Sequence, residues 1–454
     1  MLNLGPIRHG RGAAVALAAA LVAACASAPT EPPLAEAAPQ PVACPTGLPE
    51  GARCLGGQDS RGAQYLVAVP KDWNGHLVVH AHGGPNLEPP RRERVVADLQ
   101  RWSVVVKAGF AWAGSTYVDG GMAVTAAAVD TERVRRIFVR HVAVPKLTIL
   151  HGQSWGAGVA AKGAELHARA AGGRSPYDAV LLTSGVLGGG TRSYDARFDL
   201  RVVYQHLCQN HPLPSEPQYP LGIGLPAGSP LTPDQLAERA KDCLGVGLPA
   251  AQRTAEQTRR LRTLERVIGV PESSLQQHLR RATFDFSDIA QRYGGASPFG
   301  NIGARYRGSD DDDALNAAVL RYAADADAVR RFGDDSDPTG QIPVPVLTVH
   351  AINDPIAFVE LENQFRQTMR SAGTADRLVQ VFTEHSDHSY LSDPVYPAAL
   401  QQLLAWVEQG RKPTQQTVAD ACAAAQATFG PGCRMVVGYE PKALDTRVAP
   451  RQRP

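Results

Sequence analysis

A Gly-x-Ser-x-Gly motif, GQSWG at residues 152–156, constrains the fold more than any other feature of this chain. It directly follows the apolar run KLTIL at residues 146–150 and precedes an Ala-rich segment with helical character at residues 157–171. This context predicts a strand, a sharp turn that carries Ser154, and a helix. The positive end of the helix dipole would then face an oxyanion formed at the turn. The motif therefore predicts a nucleophilic serine at one edge of a sheet.

Two later segments offer the base and the orienting acid that a serine hydroxyl needs before it can act as a nucleophile. Residues 346–350 (VLTVH) are predicted to form a buried strand, and Asp354 follows it. Residues 378–382 (LVQVF) are predicted to form the next one, and a loop containing His388 follows that. Because the carboxyl ends of parallel strands build the site in an open α/β sheet, we predict that Ser154, Asp354 and His388 converge.

A further loop, HAHGGP at residues 80–85, directly follows another apolar strand-like run. A tetrahedral intermediate needs two backbone N–H groups aimed at its oxygen. We assign these to Trp155, next to the nucleophile, and to Gly84, because glycine lets the backbone approach a substrate closely. His82, beside this loop, and Tyr117, after the third strand-like run, are candidates for substrate contact, with packing in the core or the loop as the alternative.

The order of the remaining patterns favours an α/β fold with a mostly parallel sheet and flanking helices. Strand-like runs lie at residues 64–69, 76–80, 110–114, 146–150, 179–183, 346–350 and 378–382. Helical periods lie at residues 124–142, 157–171 and 397–409. Polar helical patterns at residues 232–241, 251–267 and 312–331 interrupt this rhythm and predict an inserted, mainly helical cap.

These patterns divide the chain into six predicted parts. The parts are a signal peptide (1–24), a lipoprotein tether with an N-terminal segment (25–60), the first part of the core (61–190), the cap (191–340), the second part of the core (341–412) and a C-terminal extension (413–454). The extension suggests no function from its sequence.

The motifs together resemble the α/β-hydrolase superfamily over about residues 64–410. HGGP and GQSWG are also similar to motifs of proline iminopeptidases, which carry HGGPGG and GxSWG; here Asn86 and Leu87 follow the proline. The general layout resembles exported bacterial tannase and feruloyl-esterase-like hydrolases. The resemblance implies an α/β-hydrolase fold in which the catalytic histidine lies on the loop before the final helix. This favours His388 over His385.

The resemblance also implies a serine hydrolase that cleaves carboxylic esters through an acyl-enzyme, needs no cofactor and binds a small-molecule ester. Asp376 and Asp387 are rival acids, but neither follows a strand end as Asp354 does. A serine peptidase of the aminopeptidase type stays open, with cap acids such as Glu216, Glu238 or the run at 310–313 binding an amino terminus. A surface lipoprotein that keeps the fold without catalysis is the third possibility.

The net charge and the acidic runs argue against two other classes of protein, nucleic-acid binders and EF-hand calcium binders. Lysine plus arginine exceed the acids by only two, which argues against a nucleic-acid partner because such proteins carry a concentrated basic surface. The acidic runs at residues 310–313 and 334–337 lack the terminal glutamate of an EF-hand loop. No metal site is predicted.

The N-terminus predicts export. Residues 1–12 carry Arg8 and Arg11 and no acid, and an apolar run follows at residues 13–24, too short to span a bilayer as a stable helix. The run ends in LVAAC, which resembles a bacterial lipoprotein signal with lipidation at Cys25; simple cleavage after Ala28 is the alternative. Lipidation would make the chain a periplasmic or outer-membrane-anchored lipoprotein with its only membrane contact at Cys25, whereas simple cleavage leaves a secreted protein.

The other six cysteines agree with an oxidising compartment. They fall into three sequence-local pairs, which favours the disulfides Cys44–Cys54, Cys208–Cys243 and Cys422–Cys433 among the 15 possible connectivities. A metal site is disfavoured because no Cys-x-x-Cys pair accompanies them.

Overall fold

The computed structural model of the protein describes residues 35–168 and 173–454. The predicted signal peptide and Cys25 lie outside these residues. Within them, ten strands form one sheet: β1 (Gln40–Val42), β2 (Arg53–Gln58), β3 (Gln64–Val69), β4 (His76–Ala81), β5 (Ala111–Ser115), β6 (Leu147–Gln153), β7 (Ala179–Thr183), β8 (Val346–Ala351), β9 (Leu378–Thr383) and β10 (Met435–Val436).

The centre of the sheet is parallel and its two edges are antiparallel. The strand order is β1-β2-β3-β5-β4-β6-β7-β8-β9-β10. Neighbouring strands from β5 through β4 to β9 run parallel, whereas β1, β2 and β3 at one edge and β10 at the other pair antiparallel. All residues of β4 and β8 are buried, as expected for strands covered on both faces. Every run that the sequence predicts as a strand forms one.

Helices cover both faces of the sheet. They are α1 (Arg92–Arg101), α2 (Ser103–Lys107), α3 (Val124–His141), α4 (Trp155–Leu166), α5 (Gly190–Ser193), α6 (Asp195–Cys208), α7 (Pro233–Leu244), α8 (Ala255–Ile268), α9 (Glu272–Arg292), α10 (Asp312–Ala318), α11 (Ala326–Ser336), α12 (Glu360–Ser371), α13 (Val395–Gln409) and α14 (Gln415–Phe429). One apolar core lies between the sheet and α3, α4 and α12 and continues into the cap. The second lies between the sheet and α1, α2, α13 and α14. No helix in the described part of the chain is both long and apolar enough to cross a bilayer.

Helices α5 to α11 lie between β7 and β8 and form the inserted cap. Two of them begin at capping boxes, Thr232 with Gln235 and Thr254 with Gln257, where side chain and backbone satisfy each other's hydrogen bonds. The structure confirms the predicted fold class, α/β with a mostly parallel sheet, flanking helices and an inserted, mainly helical cap. The predicted helical pattern at 312–331 is wrong as a single helix, because α10 ends at Ala318 and α11 begins at Ala326.

The acidic runs of the cap hold backbone N–H groups. Asp311 accepts from the N–H of Ala314 at the start of α10. Asp335 accepts from the first N–H groups of α3, those of Val124 and Thr125, both at 3.0 Å. Such a carboxylate satisfies orphan donors at a helix N-terminus and complements its dipole. Asp335 thereby fastens the cap to the core. Within residues 35–168 and 173–454, no group of His, Cys, Asp or Glu side chains is arranged to hold a metal ion.

The structure contains the three disulfides that the cysteine spacing favours. Cys44–Cys54 ties β2 to the chain before it, and Cys208–Cys243 joins two helices of the cap. Cys422–Cys433 links α14 to the segment before β10. Each closes a short loop within one region of the chain.

The end of the chain crosses from the core to the cap and inserts arginines there. Arg451 is almost fully buried and contacts Asp199 at 2.5 Å and Asp195 at 3.5 Å, both on α6. Arg453 contacts Asp195 at 2.5 Å. Burial raises the pKa of both aspartates, and the arginines oppose that shift. We call residues 450–454 the C-terminal strap; it neutralises two carboxylates inside the cap.

Replacing Arg451 by methionine is expected to destabilise the protein by about 3–5 kcal/mol, because removing one partner leaves a buried carboxylate uncompensated. Denaturant unfolding followed by circular dichroism, with the disulfides intact, measures this. Arg411→Met, at an exposed position after α13, is the matched control. Equal stability of the two variants would contradict the role of the strap.

Candidate active site

Ser154 lies on a sharp turn between β6 and α4, in a backbone conformation that side chains rarely adopt. Its φ is 58° and its ψ is −124°. Three hydrogen bonds hold this strained residue: its N–H donates to the Thr183 carbonyl, and its own carbonyl accepts from Ala157 and Val186. A side chain at Gly156 would collide with the carbonyl oxygens of Ala81 and His82 on β4 and the loop after it. The motif glycine is therefore needed because the turn packs directly against the neighbouring strand.

The structure brings Ser154, His388 and Asp354 into one chain of hydrogen bonds. Ser154 Oγ lies 2.7 Å from His388 Nε2. His388 Nδ1 lies 2.8 Å from Oδ2 and 3.0 Å from Oδ1 of Asp354. Because the carboxylate can only accept, Nδ1 carries the proton and Nε2 is free to accept the hydroxyl proton of the serine. The three residues follow β6, β8 and β9 and meet at the carboxyl edge of the sheet.

Asp354 is held from both sides. Its Oδ1 accepts from the N–H groups of Ile356 at 2.8 Å and Ala357 at 2.9 Å. Its Oδ2 lies 3.6 Å from Nε2 of His350, which lies in β8 next to its last residue and is fully buried. The side chain of Asp354 has no exposed surface, so its orientation towards His388 is fixed by these contacts.

His350 is a buried histidine beside this carboxylate. Its Nδ1 lies 3.0 Å from Oε1 of Glu362 and its Nε2 lies 2.8 Å from the Ala357 carbonyl. The carbonyl can only accept, so Nε2 carries a proton, and a carboxylate at Glu362 accepts from a protonated Nδ1. Burial alone would lower the pKa of His350, but the hydrogen bond and charge of Glu362 and the charge of Asp354 outweigh it and raise the pKa. Sequence reasoning missed this pair; the final histidine of VLTVH was assigned only to a strand.

The HGGP loop lies against the serine. A methyl group on Gly83 would lie 3.2 Å from Cβ of Ser154. Nη2 of Arg94, on α1, donates to the Gly83 carbonyl at 2.5 Å and to the Gly84 carbonyl at 3.3 Å. In a trans peptide the C=O and the following N–H point in opposite directions. Because Arg94 binds the Gly83 carbonyl, the N–H of Gly84 in the same peptide points away from Arg94. No acceptor in the described part of the chain pairs with that N–H.

Trp155 offers the second donor. It is the first residue of α4, so its N–H has no partner within the helix. The N–H of Trp155 lies at the positive end of the helix dipole and next to Ser154. The arrangement can therefore present two backbone donors beside the hydroxyl group.

His82 and Tyr117 lie beneath the HGGP loop. Their rings stack with centroids 4.1 Å apart, and both residues are almost completely buried. They share with Trp155 a cavity of about 10 Å³, room for a single water at most. Burial lowers the pKa of His82 to about 3, so its ring is neutral. Their contacts support the loop from below; direct contact with a substrate stays a prediction.

The rival residues do not join this arrangement. His385 is buried and its Nδ1 has no hydrogen-bond partner among the described residues. Asp376 and Asp387 are exposed, and the carboxylate that His388 contacts is that of Asp354.

The sequence matches no protein-family model and no curated protein. Solved structures of similar fold include tannin acyl hydrolase from Aspergillus niger, with a TM-score of 0.41 at 11% identity over 83% of this chain and 82% of that chain. An esterase from Aspergillus oryzae has a TM-score of 0.40 at 12% identity over 80% of both chains. Puromycin hydrolase has a TM-score of 0.37 at 13% identity over 83% of this chain and 41% of its own. At such identities, activity has to be inferred from the residues of this chain.

The charge of His350 gives the stability a testable pH dependence. Because the folded protein raises the pKa of His350, this group stabilises the fold fully below the ordinary histidine pKa near 6.5. That contribution is lost as the pH rises through the higher pKa of the folded state. His350→Gln cannot titrate, so it is expected to lose less stability than the wild type between pH 6.5 and pH 9 in denaturant unfolding.

His206→Gln is the matched control, since burial lowers the pKa of His206 and it contributes nothing above pH 6.5. That variant should keep the stability loss of the wild type. Parallel pH profiles for His350→Gln and the wild type would show that His350 is neutral in the folded protein.

Proposed function

We propose that this chain is a serine hydrolase that cleaves carboxylic ester bonds. The observation that carries the proposal is the continuous chain of hydrogen bonds from Ser154 Oγ through His388 to Asp354. A serine with its hydroxyl 2.7 Å from an imidazole nitrogen that can accept a proton is poised to lose its own proton as it attacks.

The reaction follows from these positions. Ser154 Oγ attacks the ester carbonyl carbon while Nε2 of His388 takes its proton, and the carbonyl oxygen becomes an oxyanion. His388 then protonates the leaving alkoxide, which departs as an alcohol and leaves an acyl-enzyme. Water, deprotonated by the same imidazole, cleaves the acyl-enzyme and releases the carboxylic acid. Asp354 keeps the proton on Nδ1 and stabilises the imidazolium in each half-reaction.

The oxyanion is stabilised by the N–H groups of Gly84 and Trp155. Arg94 acts through the first of them as a positioning residue, because its hydrogen bonds to the carbonyls of Gly83 and Gly84 fix the orientation of the connecting peptide. The donors are preorganised and need no rearrangement when negative charge develops. His350 lies behind Asp354, with its Nε2 3.6 Å from Oδ2 of that carboxylate.

The runner-up activity is an aminopeptidase, which needs a carboxylate to bind the amino terminus of its substrate. The cap acids that the sequence offers for this role are engaged by other groups. Glu216 pairs with Arg239, Glu238 with Lys241, Asp310 with Arg266 and Asp313 with Arg305, while Asp311 and Asp312 accept backbone N–H groups. These pairings support our choice of an ester over a peptide as the substrate.

Export is part of the proposal. Three disulfides are typical of a protein that folds in an oxidising compartment. The lipid anchor at Cys25 remains a prediction from the sequence alone.

Ser154→Ala is expected to lower kcat for 4-nitrophenyl acetate by roughly 10⁶-fold, as found when a nucleophilic serine is removed from a comparable triad. It should also abolish covalent labelling by a fluorophosphonate probe. Ser389→Ala, next to the catalytic histidine but outside the hydrogen-bond chain, is the control. A folded wild-type protein that neither hydrolyses the ester nor takes up the probe would favour the non-catalytic lipoprotein. Faster cleavage of aminoacyl 4-nitroanilides than of esters would favour the peptidase.

Arg94→Met is expected to lower kcat with little change in KM, because it disorients an oxyanion donor without touching the ground-state substrate. Removing a donor outright costs about 10²–10³-fold, and disorienting one should fall at or below the lower end of that range. Arg92→Met, exposed on the same helix, is the control. A rise in KM at constant kcat would instead make Arg94 a substrate-binding residue.

A further inference from the structure

Helix α9 of the cap lies across the candidate active site. His278, Arg281, Asp285 and Asp288 follow one another at helical spacing along one face of it. Nε2 of His278 lies 2.8 Å from the carbonyl of Pro355, the residue after Asp354. At the other end, Asp288 accepts from the N–H of Met122 on the core at 2.8 Å. This face of α9 therefore runs from the histidine side of the site towards the loop before α3.

Arg281 lies between these anchors, over the oxyanion loop. A methyl group on Gly84 would lie 3.5 Å from Nη2 of Arg281. Nη1 of Arg281 is bound to Asp285 at 2.9 Å, which fixes the side chain. Nη2 donates to no acceptor among the described residues, and Nε is buried without a partner there. About a fifth of the side chain is exposed. A fixed guanidinium group thus offers an unused donor a few ångströms from the proposed oxyanion donor.

The surroundings of Arg281 are positively charged. Arg94 is also close to Gly84, since its Nη2 would lie 3.7 Å from a methyl group on Gly84. Arg197 lies close enough to Arg281 for their charges to interact, and burial lowers its pKa to about 10, so it stays protonated at neutral pH. Against these three cations stand Asp285 and Asp98, and burial raises the pKa of Asp98 to about 6. The balance of charge beside the oxyanion loop is positive.

We propose that Arg281 binds a carboxylate on the acyl side of the substrate, so that the enzyme prefers esters of dicarboxylic acids, in the form of half-esters, over esters of uncharged acids. The proposal rests on the serine hydrolase activity proposed above and names its substrate class. A planar guanidinium group with a free edge suits a carboxylate in both charge and geometry.

The acyl side follows from the position of His388. The leaving oxygen has to reach the imidazole, because His388 protonates it. The acyl substituent is attached to the same carbon and extends away from His388. On α9, His278 lies towards the His388–Asp354 side and Arg281 lies over Gly84. The carbonyl oxygen points at the Gly84 N–H and the leaving oxygen at His388, so the acyl chain takes the remaining direction, which we place on the Arg281 side of the site.

Two substrates that differ only in this charge test the proposal on the wild-type protein. 4-Nitrophenyl hemisuccinate and 4-nitrophenyl butyrate share a four-carbon acyl chain and a leaving group, and differ in a terminal carboxylate or methyl group. With the uncatalysed rates subtracted, we expect kcat/KM to be about 10-fold or more in favour of the hemisuccinate. The preference should weaken with added salt, because part of it is electrostatic. A wild-type protein that prefers the butyrate would overturn the proposal.

Variants assign the preference to one side chain. Arg281→Gln is expected to lower the hemisuccinate-to-butyrate ratio of kcat/KM by about 10- to 100-fold, the range for a hydrogen bond between charged groups. Arg281→Lys keeps the charge but loses the planar fork, so its ratio should lie between the two. Arg280→Gln removes the same charge from an exposed position one residue away and should leave the ratio unchanged. If Arg281→Gln does not fold, the wild-type comparison and Arg281→Lys decide the question.

Failure of this proposal differs from failure of the proposed function. A protein that hydrolyses both esters in a Ser154-dependent manner but shows no preference, or the same ratio in Arg281→Gln, is a serine esterase without the carboxylate subsite. A protein that hydrolyses neither ester and takes up no fluorophosphonate has no hydrolase activity, and the substrate proposal falls with it.

Discussion

The strained turn at Ser154 is the constraint on which the rest of the site depends. A residue with a φ of 58° that is not glycine persists only where its surroundings hold it. Here the hydrogen bonds to Thr183 and Val186, in and after β7, hold the turn on one side. On the other side, β4 packs so closely that only glycine fits at position 156. The central strands thus act as a rigid frame, and their parallel direction places every loop that contributes to the site at one edge.

Buried charged and polar side chains lie behind the carboxyl ends of these strands. Glu362 is hydrogen-bonded to His350, and Asp354 is hydrogen-bonded to His388, which contacts Ser154. The two groups meet where Nε2 of His350 lies 3.6 Å from Oδ2 of Asp354. Glu362 is fully buried and also accepts hydrogen bonds from Thr348 and Gln380, so its charge is compensated. Buried charges of this kind are costly unless each is paired. The pairing compensates for the burial of Asp354, whose side chain has no exposed surface.

The sequence predicts the parts of this structure that depend on local pattern. Apolar runs predicted the parallel strands because those strands are buried on both faces. GQSWG predicted the turn because close packing requires its glycines. Helix α9 was missed because its buried face carries polar residues, such as His278, Thr283 and Asp285, which dilute the apolar stripe. Arg94 was missed because RRER at residues 91–94 resembles a solvated helix start. Its partner is a backbone carbonyl, and such a contact leaves no trace in the sequence.

The contacts that hold the cap join residues far apart in the sequence, so sequence patterns do not predict them. These contacts also affect the geometry of the site. Asp335 joins the cap to α3, Asp288 joins it to the loop before α3, and the C-terminal strap neutralises Asp195 and Asp199 inside it. None of these partners lies near the other in sequence. Because Arg281 is carried on α9, its distance from Gly84 depends on how firmly these ties hold the cap. Buried ion pairs and helix-capping carboxylates fix the cap, and a fixed cap keeps Arg281 close to the oxyanion loop. The C-terminal extension thereby contributes to the geometry of the site.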